Sequence, residues 1–368
     1  MKPKIKINLI RQAHDLIAAA RTQTVRQTNS LMVFTYYQLG KLIIQNEQGG
    51  IHRAEYGKET IKELSVHLMK KFGDGFSERN LEYMRYFYLA FKHRDSQIQI
   101  PQTLSAKSSL KLNSKGNFHS TDSNQIPQTL SAKSFTALFP LSWSHYLLLS
   151  RIKNANERSF YEIETIQGNW SVRELQRQFD GALYERLSLS KNKKKVRELA
   201  SKGQLIQKPE DVLKSTYLLD FLGLEAKSTY TETDLETAII NKIEHFLIEM
   251  GKGFLFQGRQ VRFTFDGEDF FVDLVLYNRL LRCFVLVDLK IGKIKHQDIG
   301  QMQMYVNYYN RYIKTNHERP TIGIIICKDK SDAVVEITLP KNNKTIFAKE
   351  YKLYMPSKLE IKKLITEK

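Results

Sequence analysis

The chain has 368 residues, and its 57 lysines and arginines exceed its 39 aspartates and glutamates, which gives a formal charge of +18 at pH 7. Apolar residues make up 42% of the sequence, which excludes a globally disordered protein, and the length indicates two or three domains. The sequence has no uninterrupted apolar run of about 18 residues, no secretory signal and no cysteine-pair metal motif. We therefore expect a protein of the cytoplasm that makes no contact with membranes.

The positive charge indicates a polyanionic partner, of which nucleic acid is the commonest. The alternative is a lysine-rich surface that is merely solvated. The charge thus favours DNA as a partner without establishing it.

Residues 1–187 have mostly helical patterns. Apolar residues recur at helical spacing over 58–72, a break follows at 73–75, and Ser77 is a good N-cap for a second helix. Two helices joined by a short glycine turn resemble a helix-turn-helix. The outer face of the second helix carries Arg79, Tyr83 and Tyr86, which are candidates for contacts with nucleic acid. An ordinary helical hairpin with its polar face in water is the alternative.

A polar insert interrupts this helical region at residues 95–135. The string QIPQTLSAKS occurs in it twice, at 99–108 and at 125–134. Two copies are too few for a solenoid, so we expect a local duplication that forms a flexible surface loop.

A connector at 188–230 contains a basic cluster. Lys193, Lys194 and Lys195 follow one another in it and are candidates for binding phosphates. A solvated linker is an equally good interpretation of this cluster.

From residue 231 to 368 the pattern changes to a mixed α/β domain. We predict a helix at 233–250 and a later helix at about 297–313. Four strands are predicted, with a hairpin turn at Asp266-Gly267 between the first two; they span 254–265, 270–277, 282–290 and 322–327.

Two of these strands carry acids inside apolar runs. Asp273 lies in the second strand, and Asp288 and Lys290 lie two residues apart in the third, so both point to one face. Neighbouring strands would bring the two carboxylates together, and buried carboxylates require a pairing charge or a metal. The set suits a hard cation, Mg²⁺ or Mn²⁺, and with it the hydrolysis of a phosphodiester. A buried Asp–Lys ion pair is the alternative.

Three further residues are candidates for the same site. Glu236 lies near the start of the first helix, where it either adds a carboxylate or forms a capping box with Thr233. Gln301 and Tyr305 are four residues apart and share one face of the later helix. For this pair the alternative is a polar helix edge with one aromatic residue in the core.

This order of elements and residues resembles the PD-(D/E)xK nuclease superfamily, and more specifically its YhcG family. The superfamily pattern of a helix with Glu, a hairpin with Asp, a strand with D/E-x-K and a further helix matches Glu236, Asp273, Asp288 and Lys290. Gln301 and Tyr305 resemble the Q-x-x-x-Y element of the RecB-like branch. Further segments that carry the likeness to the YhcG family are 54–57, 76–85, 170–175, 277–285, 300–305 and 321–324.

The resemblance implies a restriction-endonuclease-like core in residues 231–368 and a helical domain in 1–187 that binds nucleic acid. It implies cleavage dependent on Mg²⁺, and a role in DNA repair, recombination or defence against foreign DNA. The sequence departs from the motif at Val272, which stands where the motif has proline and removes no ligand. Asp288 replaces the commoner glutamate, so a metal would sit closer to the strand.

Two functions therefore remain open. The first is a metal-dependent DNA endonuclease. Cutting both strands of a duplex needs two active sites, as in a homodimer, or two visits by one site, and the sequence gives no direct evidence for a dimer. The second is a non-cleaving DNA-binding accessory protein, such as a subunit that works with partner proteins of a defence system. The complete set of acids and lysine favours the first, because carboxylates repel phosphate unless a cation lies between them.

Overall fold

The computed structural model describes residues 7–49, 54–97, 138–188, 193–224, 229–357 and 360. Most of the insert with the duplicated string lies outside these ranges. The expectation that it forms a flexible loop therefore concerns residues outside the described part of the chain. The chain divides into two compact units, Met1–Arg158 and Ser159–Lys368. In the described ranges, every helix is too short or too polar to pass through a membrane.

The first unit is built from helices. They are α1 (Ile7–Gly49), α2 (Ala54–Phe72), α3 (Glu78–Phe91) and α4 (Trp143–Leu149). Helices α1 and α3 pack closely where Gly40 faces Met84, because a Cβ atom at position 40 would overlap with the Met84 carbonyl oxygen. Close backbone approach of this kind allows the aromatic residues around the crossing to fill the core.

The predicted pair of helices on either side of the glycine turn is confirmed. A short 3₁₀ turn at Asp74–Phe76 separates α2 from α3, and α3 begins directly after Ser77. The Ser77 side chain makes no capping hydrogen bond, although its carbonyl oxygen accepts from the first turn. The stripe of α3 that the spacing predicts to be apolar is buried, which turns the opposite stripe outward.

The second unit begins with helices and continues into an α/β fold. The first helices are α5 (Ala155–Gly168), α6 (Val172–Asp180), α7 (Leu183–Ser188) and α8 (Lys193–Lys202). The unit boundary falls inside α5, so the boundary at 187 that the sequence indicated lies within the second unit.

A buried group of charges holds the early helices of this unit to its α/β part. The Glu249 carboxylate is fully buried and accepts a hydrogen bond of 2.7 Å from Arg186 on α7. Lys214 lies 3.4 Å and Arg177 lies 3.8 Å from the other carboxylate oxygen. Burial alone would raise the pKa of Glu249, but the three cations outweigh it and lower this pKa to about 2. Helix α7 is therefore anchored to the α/β part by an ionised buried group.

A six-stranded mixed sheet forms the centre of the α/β part, in the order β1-β6-β5-β4-β3-β2. Strands β2, β3 and β4 are antiparallel neighbours, whereas β4, β5, β6 and β1 pair in parallel. The strands are β1 (Thr216–Leu218), β2 (Phe254–Phe265), β3 (Glu268–Asn278), β4 (Cys283–Lys293), β5 (Ile322–Asp329) and β6 (Ile346–Lys352). The four predicted strands are confirmed, together with the turn between β2 and β3, where Asp266 and Gly267 both have positive φ. Strands β1 and β6 were not predicted.

Helices cover both faces of the sheet. They are α9 (Glu232–Asn241), α10 (Ile243–Met250), α11 (His296–Tyr308) and α12 (Asp332–Thr338). The single helix predicted at 233–250 is thus two helices, because Lys242 leaves the helical conformation with φ −126° and ψ 32°. The predicted helix at 297–313 ends in a turn of π-helix at Tyr309–Ile313.

The two faces have separate hydrophobic cores. Helices α9 and α10 cover one face with Leu235, Ile239 and Phe246, and α11 covers the other with Ile299 and Met302. This mixed sheet between layers of helices confirms the predicted fold class. Strands β3 and β4 are both interior strands of this sheet, with a neighbouring strand on each side.

Candidate active site

The candidate site lies where β3 and β4 separate. The two strands pair from Asn278↔Cys283 to Leu274↔Val287, and β4 then continues beside β5 alone as far as Lys290 and beyond. At this fork the Asp273 carboxylate accepts the backbone N–H of Leu289 at 2.8 Å. The side chain thus takes the place of a carbonyl group of the strand ladder, and it ties the two strands together where their pairing ends.

Asp288 and Lys290 lie on the continuing part of β4 and point to the same side. The Lys290 Nζ atom is 3.1 Å from Asp288 Oδ2 and 3.7 Å from Glu232 Oε2. Asp288 is only 2% exposed, and its Oδ2 atom makes no hydrogen bond of acceptable geometry. The site therefore contains a buried carboxylate oxygen that forms no hydrogen bond and faces the Lys290 ammonium group.

The electrostatics of this pair follow from burial and from the second aspartate. Burial raises the pKa of Asp288 to about 7, and the negative charge of Asp273 acts in the same direction, against the opposing charge of Lys290. Burial alone would lower the pKa of Lys290, but the carboxylates of Asp288 and Glu232 outweigh it and raise this pKa above its usual value. Lys290 is consequently an ammonium at neutral pH.

Glu236 reaches the same edge of the sheet from α9. Gln260 Nε2 donates to Glu236 Oε2 at 2.8 Å and to Asp273 Oδ1 at 3.1 Å, so one amide group bridges the two carboxylates. Arg259 lies 3.7 Å from the same glutamate oxygen. Burial raises the pKa of Glu236, and the charge of Asp273 adds to this effect.

The capping alternative for Glu236 is wrong. The capping box of α9 is formed by Thr231 and Asp234, whose side chains bond each other's backbone N–H groups. The helix starts two residues before the position that this alternative required, which places Glu236 beyond the cap and leaves its carboxylate available to the site.

Gln260 is a residue of this site that the sequence analysis missed. It lies in the middle of β2 with φ 47°, a left-handed conformation that is strained for a residue with a side chain. The only signal in the sequence was Gly258, since glycine inside a strand often marks a bulge, and the register of β2 does shift between Phe256 and Gly258. That signal indicates an irregularity but not which side chain it redirects.

Gln301 and Tyr305 lie behind the acids and act on the backbone. The Tyr305 hydroxyl donates to the Phe271 carbonyl oxygen at 2.9 Å, two residues before Asp273. Gln301 Nε2 in turn donates to the Tyr305 hydroxyl. Tyr305 is 1% exposed and packs edge-on against Phe263. In this arrangement Tyr305 holds the backbone of β3, and Gln301 holds Tyr305.

The donors at the fork fit a hard divalent cation. Asp273 and Asp288 offer carboxylate oxygens from adjacent strands, and the buried Asp288 Oδ2 lacks a hydrogen bond. In the part of the chain that the structure describes, no three acidic, histidine or cysteine side chains converge as a complete ligand cage. Mg²⁺ is commonly held by one or two carboxylates, with waters and substrate phosphates as its other ligands. The two aspartates therefore match this open kind of site.

The residues that the sequence suggested for nucleic-acid contact lie elsewhere. Arg79, Tyr83 and Tyr86 are on α3 of the first unit, where Arg79 Nε donates to the Tyr83 hydroxyl at 2.8 Å. Lys194 and Lys195 are exposed near the start of α8 in the second unit. The side chain of Lys193, which begins this helix, is outside the described set.

Two family models match the chain. Residues 12–186 match the DUF1016 N-terminal domain, and residues 210–366 match the YhcG PDDEXK nuclease domain, which includes every acid of the site. The chain is 40% identical to a protein of Escherichia coli (strain K12) named "Putative nuclease YhcG", over 94% of this chain and 90% of that protein.

Two solved structures show weaker likenesses. A repair endonuclease from Pyrococcus abyssi is 17% identical over 35% of this chain and 50% of its own, with a TM-score of 0.24. EndoMS in a complex with double-stranded DNA is 14% identical over 36% of this chain and 49% of its own, with a TM-score of 0.25. The chain thus spans about half the length of each of these two proteins.

Proposed function

Since this chain belongs to the YhcG family and carries its PDDEXK nuclease domain, we propose that it is an Mg²⁺-dependent endonuclease that hydrolyses phosphodiester bonds of DNA. The observation that carries the proposal is the convergence of Asp273, Asp288 and Lys290 at the fork between β3 and β4. The two carboxylates suit a bound cation, and the ammonium beside them suits a phosphate. Binding of both together explains why an acid is buried inside this sheet, because a buried carboxylate requires a pairing charge or a metal.

In this proposal Asp273 and Asp288 hold the cation, which Mn²⁺ can replace, and Glu236 adds a carboxylate at the edge of the site. When bound, such a cation polarises a phosphoryl oxygen and acidifies a water molecule. The raised pKa of Lys290 supports a role as a positive charge rather than as a proton acceptor. Its ammonium would orient the scissile phosphate and stabilise the charge that develops on it.

The surroundings of the fork support a polyanionic substrate. Beyond Lys290, the exposed residue Lys293 follows at the end of β4, and Lys295 lies directly before α11. Together with the charge of +18, they provide positive groups for the phosphates on either side of the cut. DNA is the polyanion that a repair, recombination or defence function would require.

The test is the conversion of supercoiled plasmid to nicked and linear forms in Mg²⁺, in Mn²⁺ and in EDTA. We expect nicking of the closed circle by the wild-type protein in either metal, and its loss in Asp288→Asn and Lys290→Ala. Asp269→Asn is the matched control, because Asp269 lies on β3 but faces solvent and pairs with Arg262. It should cut as fast as the wild type.

The same experiment separates cleavage from binding alone. DNA binding by Asp288→Asn, measured by fluorescence anisotropy in EDTA, should stay close to that of the wild type. A wild-type protein that binds the plasmid but leaves it closed in both metals would contradict the nuclease proposal and favour the accessory protein. Equal nicking rates for the wild type and both site variants would contradict the residue assignment.

A further inference from the structure

The first unit contains a cleft on the outer side of α3. Its volume is about 540 Å³, which is in the range of sites that hold small organic ligands. One wall is the outward stripe of α3, and the opposite wall is the chain that follows α4. The lining residues are Tyr83, Tyr86, Leu89, Ala90, Leu147, Ser150, Arg151, Ile152, Lys153 and Arg158.

The α3 wall presents flat and apolar groups to this cleft. Tyr86 is 53% exposed and Leu89 is 45% exposed, although both lie on a helix whose other stripe is fully packed. Arg79 donates to the Tyr83 hydroxyl, and its guanidinium lies 5.5 Å from the centre of the Tyr83 ring. This contact fixes the Tyr83 ring at the entrance of the cleft. Exposed aromatic side chains in a concave site are suited to stacking against another ring.

The opposite wall supplies positive charge. Arg151 and Lys153 are exposed, and neither side chain pairs with another residue in the described ranges. Arg158 is different, because its guanidinium donates to the carbonyl oxygens of Ile152 at 2.6 Å and Ala90 at 2.7 Å. Arg158 therefore fixes the two walls relative to each other, while Arg151 and Lys153 remain available to an anion.

Acidic side chains do not line the cleft. None of its ten lining residues is an aspartate or a glutamate. The nearest acid along α3 is Glu82, which is exposed and lies one turn before Tyr86. The balance of charge in the cleft thus favours an anion, and its aromatic and aliphatic surface favours a flat apolar group attached to that anion.

We propose that this cleft binds unpaired nucleotides of a DNA strand. A base stacks on Tyr86 and contacts Leu89, and the adjoining phosphates contact Arg151 and Lys153. Single-strand sites combine stacking side chains with a positively charged groove in this way. A duplex offers no free base to Tyr86, because its bases are already stacked on one another. The helix pair resembles a helix-turn-helix, but its outward stripe is thus a wall of a cleft.

This inference extends the proposed nuclease function, because it assigns as preferred substrate a DNA that contains an unpaired segment, such as the segments that supercoiling opens in a closed plasmid. It does not depend on that function for its test, since binding is measured in EDTA without cleavage. Failure of the nuclease proposal would appear in the plasmid assay, and failure of the present one would appear in binding.

The experiment measures fluorescence anisotropy of the full chain with a labelled 20-nucleotide oligothymidylate and with a 20-base-pair duplex. We expect Tyr86→Ala to raise the Kd for the single strand about tenfold, in line with the loss of one stacked base. Tyr86→Phe keeps the ring and should bind within about twofold of the wild type. The double variant Arg151→Ala/Lys153→Ala should weaken binding and reduce its dependence on salt.

Two controls and one mapping experiment complete the test. Tyr354→Ala removes an exposed tyrosine of the second unit, and Lys70→Ala removes an exposed lysine of α2 outside the cleft. Both should bind the oligonucleotide as the wild type does. Ultraviolet cross-linking of an oligonucleotide that contains 5-iododeoxyuridine should label the peptide with Tyr83 and Tyr86. Unchanged single-strand affinity of Tyr86→Ala, or a cross-link that maps outside the cleft, would overturn the proposal.

Discussion

The Asp273 carboxylate binds the backbone N–H of Leu289 across the point where β3 and β4 part. One oxygen of this side chain therefore holds the fork together, and the other accepts from Gln260 on the open side. Asp273 thus has a structural role, which any good hydrogen-bond acceptor can perform, and a proposed role as a metal ligand, which needs a negative charge. The two roles can be separated by substitution.

We predict that Asp273→Asn and Asp273→Ala both abolish cleavage but differ in stability. Asparagine keeps a carbonyl oxygen for the Leu289 N–H, whereas alanine leaves that N–H without its partner, which costs about 1–2 kcal/mol. Urea denaturation in EDTA measures the difference in the free energy of unfolding. Both variants lack the charge and the oxygen that accepts from Gln260, so the Leu289 hydrogen bond is the polar contact in which they differ. Equal stabilities would mean that this bond does not hold the fork.

The raised pKa of Asp288 makes stability depend on pH. Its pKa is about 7 in the folded protein against an ordinary value of 3.8, so the folded state binds the proton more tightly than the unfolded state does. The resulting stabilisation is fully present below about pH 4 and is lost as the pH rises through 7. Over pH 5 to 8 the loss is about 3 kcal/mol, since the pH passes through about two units below the folded pKa and one unit corresponds to about 1.4 kcal/mol.

The measurement is thermal unfolding in EDTA between pH 5 and pH 8. Asp288→Asn cannot ionise, so its Tm should rise relative to that of the wild type as the pH increases. Asp269→Asn is again the control, because the exposed Asp269 has a lowered pKa and titrates below this range. Parallel pH profiles of the wild type and Asp288→Asn would show that Asp288 ionises at an ordinary pH.

Much of the fold and of the site could be predicted because the signals are local. Alternating side chains place Asp288 and Lys290 on one face, and the turn at Asp266-Gly267 makes β2 and β3 neighbours. Strand β6 was missed because its apolar run of Ile346 to Ala348 is short and is followed by charged residues, and because its partners are distant in the sequence. The bridging position of Gln260 depends on a local left-handed backbone in β2, which no periodicity encodes.

Gln260 offers a prediction about charge at the site. Its amide donates to both Glu236 and Asp273, so Gln260→Glu would put a third carboxylate between two others. Carboxylates within hydrogen-bond distance of one another repel strongly when all are ionised. We expect a lower Tm in EDTA at pH 8 and a larger rise in Tm on addition of Mg²⁺ than the wild type shows, because a cation offsets the added repulsion.

Gln260→Leu is the matched control, since it has the same strained backbone and removes the donor without adding a charge. It should lose stability in EDTA, but Mg²⁺ should raise its Tm no more than it raises that of the wild type. If Mg²⁺ shifts the Tm of the glutamate variant by the same amount as that of the leucine variant, a carboxylate at position 260 does not contribute to a cation site at the fork.

The last prediction concerns the buried charges that join α7 to the α/β part. Arg186 is 2% exposed and bonds Glu249, the Gly181 carbonyl oxygen and the Thr216 carbonyl oxygen. Arg186→Leu would remove the closest cation from the buried carboxylate, which would keep Lys214, Arg177 and the backbone N–H of Leu218. Breaking a buried pair typically costs about 3–5 kcal/mol. Urea denaturation should show a loss of this size, whereas Arg173→Leu, at an exposed position of α6, should cost less than about 0.5 kcal/mol. A small loss for Arg186→Leu would mean that the early helices of the second unit are not fixed by this ion pair.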